Sequence, residues 1–276
     1  MPTIEPHQFR QVAESFGVDA ERYDRTRPSY PAATVERIVA ASPGRDVLDV
    51  GAGTGIAARQ FVAAGCTVLG VEPDARMAGF ARRGGLEVEV STFEDWDPGD
   101  RRFDTVVAGQ AWHWVDPDAG AAAAARVLRP GGRLAVFWNA FQPQPEAAEA
   151  FAAVYRRVLP ESLAAAGFTA AAPAGGPYSV LCDKAADGIR ASAAFDEPER
   201  WRFEWDVTYT RDAWLDQVPT FGGHTQLPPP ALAEVLDGIG AAIDDLGGGF
   251  AAHYTTVVVT AARPAAAGRE LESSMS

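Results

Sequence analysis

The residues best placed to do chemistry form one run, Val47-Leu48-Asp49-Val50-Gly51-Ala52-Gly53-Thr54-Gly55, in which an apolar stretch passes directly into a GxGxG turn. Glycine lets the backbone approach a ligand closely, and a helix opening after the turn aims its first N–H groups at that ligand. A turn that cradles a dinucleotide pyrophosphate has its third glycine at the sixth position, GxGxxG. Here the sixth position is Ile56, whose branched side chain would crowd a pyrophosphate. An acid, Glu72, closes the next apolar run 17 residues beyond Gly55, and a carboxylate at such a strand end accepts both hydroxyls of a ribose. The spacing therefore favours a cofactor that has a ribose and no phosphate.

S-adenosylmethionine (SAM) meets both conditions. Its chemistry would be in-line displacement, in which an O, N, C or S nucleophile attacks the methyl group with help from positioning and desolvation. A second cluster, Gln110-Ala111-Trp112-His113-Trp114, follows another apolar run, where open α/β sheets place their ligands. Trp112 and Trp114 would exclude water and face a sulfonium through cation–π contact, or else simply pack the loop. His113 is the candidate general base, against the plainer reading of a structural imidazole. Ahead of the sheet, Tyr23-Asp24-Arg25-Thr26-Arg27-Pro28-Ser29-Tyr30-Pro31 offers a guanidinium for the SAM carboxylate and two phenols, with a Pro-rich linker as the alternative.

Those residues need elements to hold them. From Asp46 onward short apolar runs alternate with helical patterns, the sequence form of βα units building a parallel sheet. Strands are expected at 47–50, 67–71, 86–90, 103–108 and 134–138, and helices at 56–64, around Met77 and Phe80, and at 119–128, the last stopped by Arg129-Pro130-Gly131-Gly132. Between 142 and 198 the rhythm breaks, with one helix at 146–158 followed by a Pro/Gly/Ala-rich stretch. It resumes with strands at 201–207 and 253–260 and helices at 212–218 and 230–246. The expected organisation is an N-terminal lid over 1–31, a cofactor-binding core over 32–141, an inserted cap over 142–198, completion of the sheet over 199–263 and a disordered tail over 264–276.

Four segments, Val47 to Gly55, Gly70 to Asp74, Phe103 to Ala108 and Val127 to Leu134, together resemble the class I SAM-dependent methyltransferases, of the methyltransferase-11 type that includes trans-aconitate methyltransferase relatives. The resemblance covers about residues 45–139, and Tyr23 to Pro31 resembles a segment that folds over the cofactor in related enzymes. It implies a Rossmann-like α/β fold: a seven-stranded, mostly parallel sheet with helices on both faces and the last strand inserted antiparallel. It also implies that Gly51, Gly53 and Gly55 flank the methionine part of SAM, that Glu72 holds the ribose, that Thr92, Phe93 and Glu94 meet the adenine, and that Gln110 lies beside the methionine. Thr92 stands where the family usually has an acid. Asp49, Thr54, Pro73, Met77, Tyr23 and Arg27 complete the expected cofactor contacts, and Tyr30, Trp112, His113 and Trp114 the expected substrate pocket.

A formal charge of −13 and no basic run beyond pairs such as Arg82-Arg83 leave no electrostatic footprint for a phosphate backbone, so nucleic acid is not an expected partner. Cys66 and Cys182 stand apart without a CxxC or a nearby His pair, so no metal is expected. The N-terminus has no apolar signal core, and no run nears the ~18 apolar residues of a membrane helix, so a cytoplasmic location is the default. Lys184 is the only lysine among 24 basic residues, and Ala dominates the apolar fraction, a bias that suggests a GC-rich bacterial genome. The expected function is methyl transfer from SAM to a small molecule, leaving S-adenosyl-L-homocysteine (SAH). Alternatives are a SAM-binding protein that does not methylate and, disfavoured by Ile56, a nucleotide-dependent oxidoreductase. The methylated atom and the oligomeric state stay open.

Overall fold

The apolar runs form the strands β1 (Asp46–Val50), β2 (Thr67–Glu72), β3 (Glu87–Val90), β4 (Phe103–Gly109), β5 (Leu128–Pro143), β6 (Glu199–Thr210) and β7 (Gly249–Ala262). The computed structural model describes residues 15–160 and 178–265. Its seven strands make one sheet in the order β3-β2-β1-β4-β5-β7-β6, with β1 to β5 paired in parallel and β7 antiparallel between β5 and β6. The helices are α1 (Ala20–Thr26), α2 (Ala32–Ala40), α3 (Ile56–Ala63), α4 (Ala75–Arg83), α5 (Pro117–Val127), α6 (Pro145–Val158), α7 (Ser179–Ala191), α8 (Arg211–Gln217) and α9 (Pro229–Asp245).

Alternation along the strands sends Leu48, Val71, Val106 and Val136 to one face, under α5 and α7, and Val47, Val68, Val107 and Phe137 to the other, under α2 and α3. Cover on both faces is why the central strands read as unbroken apolar runs. Three helices lie where the sequence rhythm predicts none, α1, α2 and α7. In α7 the buried stripe Cys182, Ala185, Ala186 and Ile189 has helical spacing but is mostly small residues, so it contrasts little with its Ala-rich surroundings. In α2 the buried stripe is only Thr34, Val35 and Ile38.

The strand β5 is much longer than expected. Residues Arg129 to Gly132, which should only stop a helix, lie inside it, with Gly131 at φ +79° and a register shift against β4 between Phe103 and Thr105. Past the core, β5 and β7 run on as an antiparallel pair from Arg133 and Ala262 to Pro143 and Ala252. That pair carries a separate apolar cluster in which Phe151 and Tyr155 of α6, Trp214 of α8 and Ile239 of α9 pack on Tyr209, Phe250 and Tyr254. The expected cap over 142–198 is therefore divided. Its helix α7 belongs to a face of the core sheet, and the roof beyond the strand ends draws α6 from it and α8 and α9 from the stretch expected to complete the sheet. Residues 1–14 of the expected lid, 161–177 of the expected cap and 266–276 of the expected tail lie outside the described residues. No helix among the described residues is long and apolar enough to cross a membrane.

Candidate cofactor and substrate site

An open α/β sheet leaves a crevice at the carboxyl ends of its strands where the strand order reverses. Here the reversal falls between β1 and β4, and a cavity of about 520 Å³ opens there, within the ~300–1,000 Å³ of small-molecule sites.

Successive strand ends bring acids to this cavity. After β1 the chain turns through Gly51 (φ +67°), Gly53 (φ +57°) and Gly55 (φ +90°) into α3. A Cβ on Gly51 would sit 2.4 Å from the Ala111 side chain, so the turn is pressed against the loop after β4. Asp49 is 1% exposed and lines the cavity, yet among the described residues neither carboxylate oxygen accepts a well-formed hydrogen bond, the Ala58 N–H making only a weak contact. Burial, helped by the nearby Glu72, pushes its pKa up to about 7. Glu72 ends β2, where its two oxygens accept the Gly53 N–H at 2.8 Å and the Asp74 N–H at 2.9 Å. Burial outweighs those two bonds and lifts its pKa to about 7 as well. Beyond β3, Thr92, Phe93 and Glu94 reach the cavity. The Thr92 hydroxyl donates to Asp95 at 2.8 Å, and Glu94 accepts the Asp116 N–H at 3.0 Å. Pro73, Met77 and Thr54 line the same end.

Gln110 opens the loop after β4 in a left-handed conformation (φ +56°), pinned by its N–H to the Phe137 carbonyl at 2.8 Å, and it lines the cavity. A single 3-10 turn, Trp112–Trp114, follows. Side chains in such a turn point about a third of a turn apart, so three in a row cannot share one face. His113 and Trp114 face the cavity, whereas Trp112, 2% exposed, packs against Phe93 in the core. Trp112 is thus a core residue and not a wall of the pocket as expected. Gly55 also stays out of the cavity: it caps α3, and a Cβ there would meet Leu86 at 2.2 Å. His113 Nδ1 accepts the Trp138 indole N–H at 3.2 Å, and because an indole only donates, the neutral ring carries its proton on Nε2. Burial lowers the His113 pKa to about 4.

Tyr23, Arg27 and Tyr30 all line the cavity. The Arg27 guanidinium lies 5.0 Å from the ring centres of both Tyr23 and Phe221 and donates to Thr220 Oγ1 at 3.0 Å and to the Thr220 carbonyl at 2.5 Å. It makes no ion pair with a carboxylate among the described residues. Neighbouring charges tie the segment down: Arg22 and Arg25 converge on Asp216 of α8, and Asp24 pairs with Arg59 of α3.

The far end of the cavity contains residues that no sequence motif marked, among them Phe141, Tyr155, Trp214, Phe221, His224 and Tyr254. They come from the extension of β5, from α6, from α8 and the turns after it, and from β7, and only tertiary packing brings them together. Asn139 is the exception. It follows the expected fifth strand, a position that could have signalled a ligand, and is fixed by the Thr256 hydroxyl at 2.7 Å and by its own N–H to the Ser29 carbonyl at 3.2 Å.

This donor set fits SAM. Among the described residues it offers a buried carboxylate with only a weak donor for an ammonium, a fixed carboxylate for a ribose diol, and a guanidinium without a carboxylate for an α-carboxyl group. Ile56 lines the cavity where a pyrophosphate site has glycine.

Comparison with known proteins agrees at the level of the domain. Residues 48–136 match the family model described as a methyltransferase domain. Over 132 residues the chain is 40% identical to an uncharacterised methyltransferase of Mycobacterium tuberculosis, covering 47% of this chain and 54% of that protein. It is 30% identical over 138 residues to a demethylmenaquinone methyltransferase of Tropheryma whipplei, covering 46% of this chain and 58% of that protein. The chain thus spans about half the length of the curated relatives it matches. Among solved structures, a type II methyltransferase from Anaeromyxobacter dehalogenans superposes with a TM-score of 0.59 at 23% identity, covering 87% of this chain and 99% of that one. The [4+2]-cyclase SpnF superposes with a TM-score of 0.53 at 17% identity, covering 96% and 99%. The likeness to the two solved structures shows a shared Rossmann-like fold.

Proposed function

We propose that this chain transfers a methyl group from SAM to a small-molecule substrate. The observation that carries the reading is Asp49, a buried carboxylate at the head of the glycine turn that among the described residues has no more than a weak contact with the Ala58 N–H, a costly arrangement unless a ligand completes it. The SAM ammonium would complete it. Glu72 would accept the ribose hydroxyls, Arg27 with Tyr23 would hold the carboxylate, and Gly51, Gly53 and Gln110 would flank the methionine part. Thr54, Pro73, Met77, Thr92, Phe93 and Glu94 would enclose the remainder. Bound SAM supplies a methyl group activated by its sulfonium. The chain supplies position and a site shielded from water, roofed by α6, α8 and the segment around Tyr23 and Tyr30.

His113 has a different part from the one its residue type suggested. With Nδ1 occupied by Trp138 and Nε2 protonated, it presents a donor to the cavity and has no free lone pair to take a proton. We therefore assign it as a positioning donor. Kinship with trans-aconitate methyltransferase relatives, resting on Tyr23 to Pro31 and the four sheet motifs, is read as kinship of scaffold. The charge of −13 supports a partner other than nucleic acid.

A fold shared with a [4+2]-cyclase shows that this scaffold hosts more than one chemistry, so the product decides. The test is incubation with methyl-labelled SAM and a panel of phenols, small acids and amines. Label transfer with formation of SAH supports the reading. SAM binding with no transfer to any class of substrate would instead mark a protein that uses SAM only as a ligand.

A further inference from the structure

We propose that the substrate is an uncharged, flat aromatic molecule held against Phe141 at the far end of the cavity. This rests on the methyltransferase reading above. The carboxylates lining the cavity, Asp49, Glu72 and Glu94, all stand at its cofactor end, on or just after β1, β2 and β3. The other end is walled by rings. Phe141 stacks on Trp214 with centroids 5.0 Å apart and planes 20° apart, and tilts against Tyr254 at 5.3 Å. Phe221 meets Trp214 edge-on at 5.5 Å and His224 at 5.8 Å. Trp214, Tyr254 and His224 are buried, whereas Phe141 and Phe221 are only partly covered and line the cavity. Ring surface left against water is unfavourable, and a flat apolar occupant covers it best.

Charge narrows the class further. His224 bonds through Nε2 to the Tyr155 hydroxyl at 2.9 Å, and burial lowers its pKa. Burial pushes the Tyr155 and Tyr254 phenols well up, so these side chains are uncharged at neutral pH, and the charge that reaches this end is Arg27, 5.0 Å from the Phe221 ring centre. Arg27 is the one Lys or Arg lining the cavity among the described residues, and under the methyltransferase reading the SAM carboxylate would neutralise it. A polycarboxylate would bury its charges against neutral rings, and an amine would bury a cation with no carboxylate at that end.

The test titrates SAH-saturated protein with 2-naphthol, citrate and ethanolamine. Saturable binding of 2-naphthol is expected, tighter than either of the others. Phe141→Ala and, separately, the milder Phe141→Leu should each weaken it, the first by about tenfold, while leaving SAH affinity within about twofold. Having two variants, each checked by thermal melting, guards against one failing to fold. Tighter binding of citrate or ethanolamine, no binding of 2-naphthol to SAH-saturated protein, or 2-naphthol binding unchanged in the folded variants overturns this inference. Failure of the parent protein to bind SAH at all overturns the methyltransferase reading instead.

Discussion

Asp49 places folding and binding in opposition. A carboxyl whose pKa rises from 3.8 to about 7 on folding favours the folded state while it is protonated, and that contribution is lost as pH rises through 7. Glu72, raised from 4.5 to about 7, behaves the same way. The protein without cofactor should therefore melt at a higher temperature at pH 5 than at pH 8, with each group contributing about 1–3 kcal/mol. Asp49→Asn should raise stability at pH 8, flatten this pH dependence and weaken SAM binding, because the ammonium loses its partner. A variant that melts like the parent at every pH would show that Asp49 is not strained by burial. For the parent, SAM affinity should fall as pH drops from 8 to 6. His113 gives a second test at this scale. His113→Asn keeps an acceptor for the Trp138 indole, so turnover should fall by less than about tenfold with no change in the pH profile. A general base would cost ~10²–10⁴-fold.

Among the elements, α1 closes one side of the cavity, and its hold is electrostatic, through Arg22 and Arg25 on Asp216 of α8. Exposed ion pairs add little to stability but can time a closure. Asp216→Asn should leave the melting temperature within a few degrees and speed SAH release by about two- to fivefold. Raising salt should mimic it in the parent and do little in the variant. Stopped-flow release rates that match in the two proteins would show that the latch does not hold the lid.

The same scale explains what was legible in the sequence. The strand, turn and helix from Val47 to Ala63 are local: an apolar run, glycines at fixed spacing and a short helix follow one another in the chain. The acids at the cofactor end were readable because each ends or follows a strand. Trp112 misled because residue type cannot tell which face of a 3-10 turn a side chain occupies. His113 misled because its partner, Trp138, lies on another strand. The aromatic end was invisible, since Phe141 lies on a strand extension that exists only through pairing with β7, and Tyr155, Trp214 and His224 meet only in the folded chain.

For the whole molecule, a mostly parallel sheet with helices on both faces gives a crevice at its strand ends, and the roof beyond β5 deepens it into a partly covered cavity. Ligands that bind only the folded state stabilise it by mass action, so SAH at about 100 times its Kd should add roughly 2.7 kcal/mol. The most direct test of the central claim is calorimetric titration of the parent and of Glu72→Ala with SAM, SAH and NAD⁺. One-to-one binding of SAM and SAH is expected, weakened by about 1–3 kcal/mol in Glu72→Ala through the lost ribose hydrogen bonds, with no binding of NAD⁺. Tight NAD⁺ binding without SAM binding, or SAM affinity unchanged in Glu72→Ala, would contradict it.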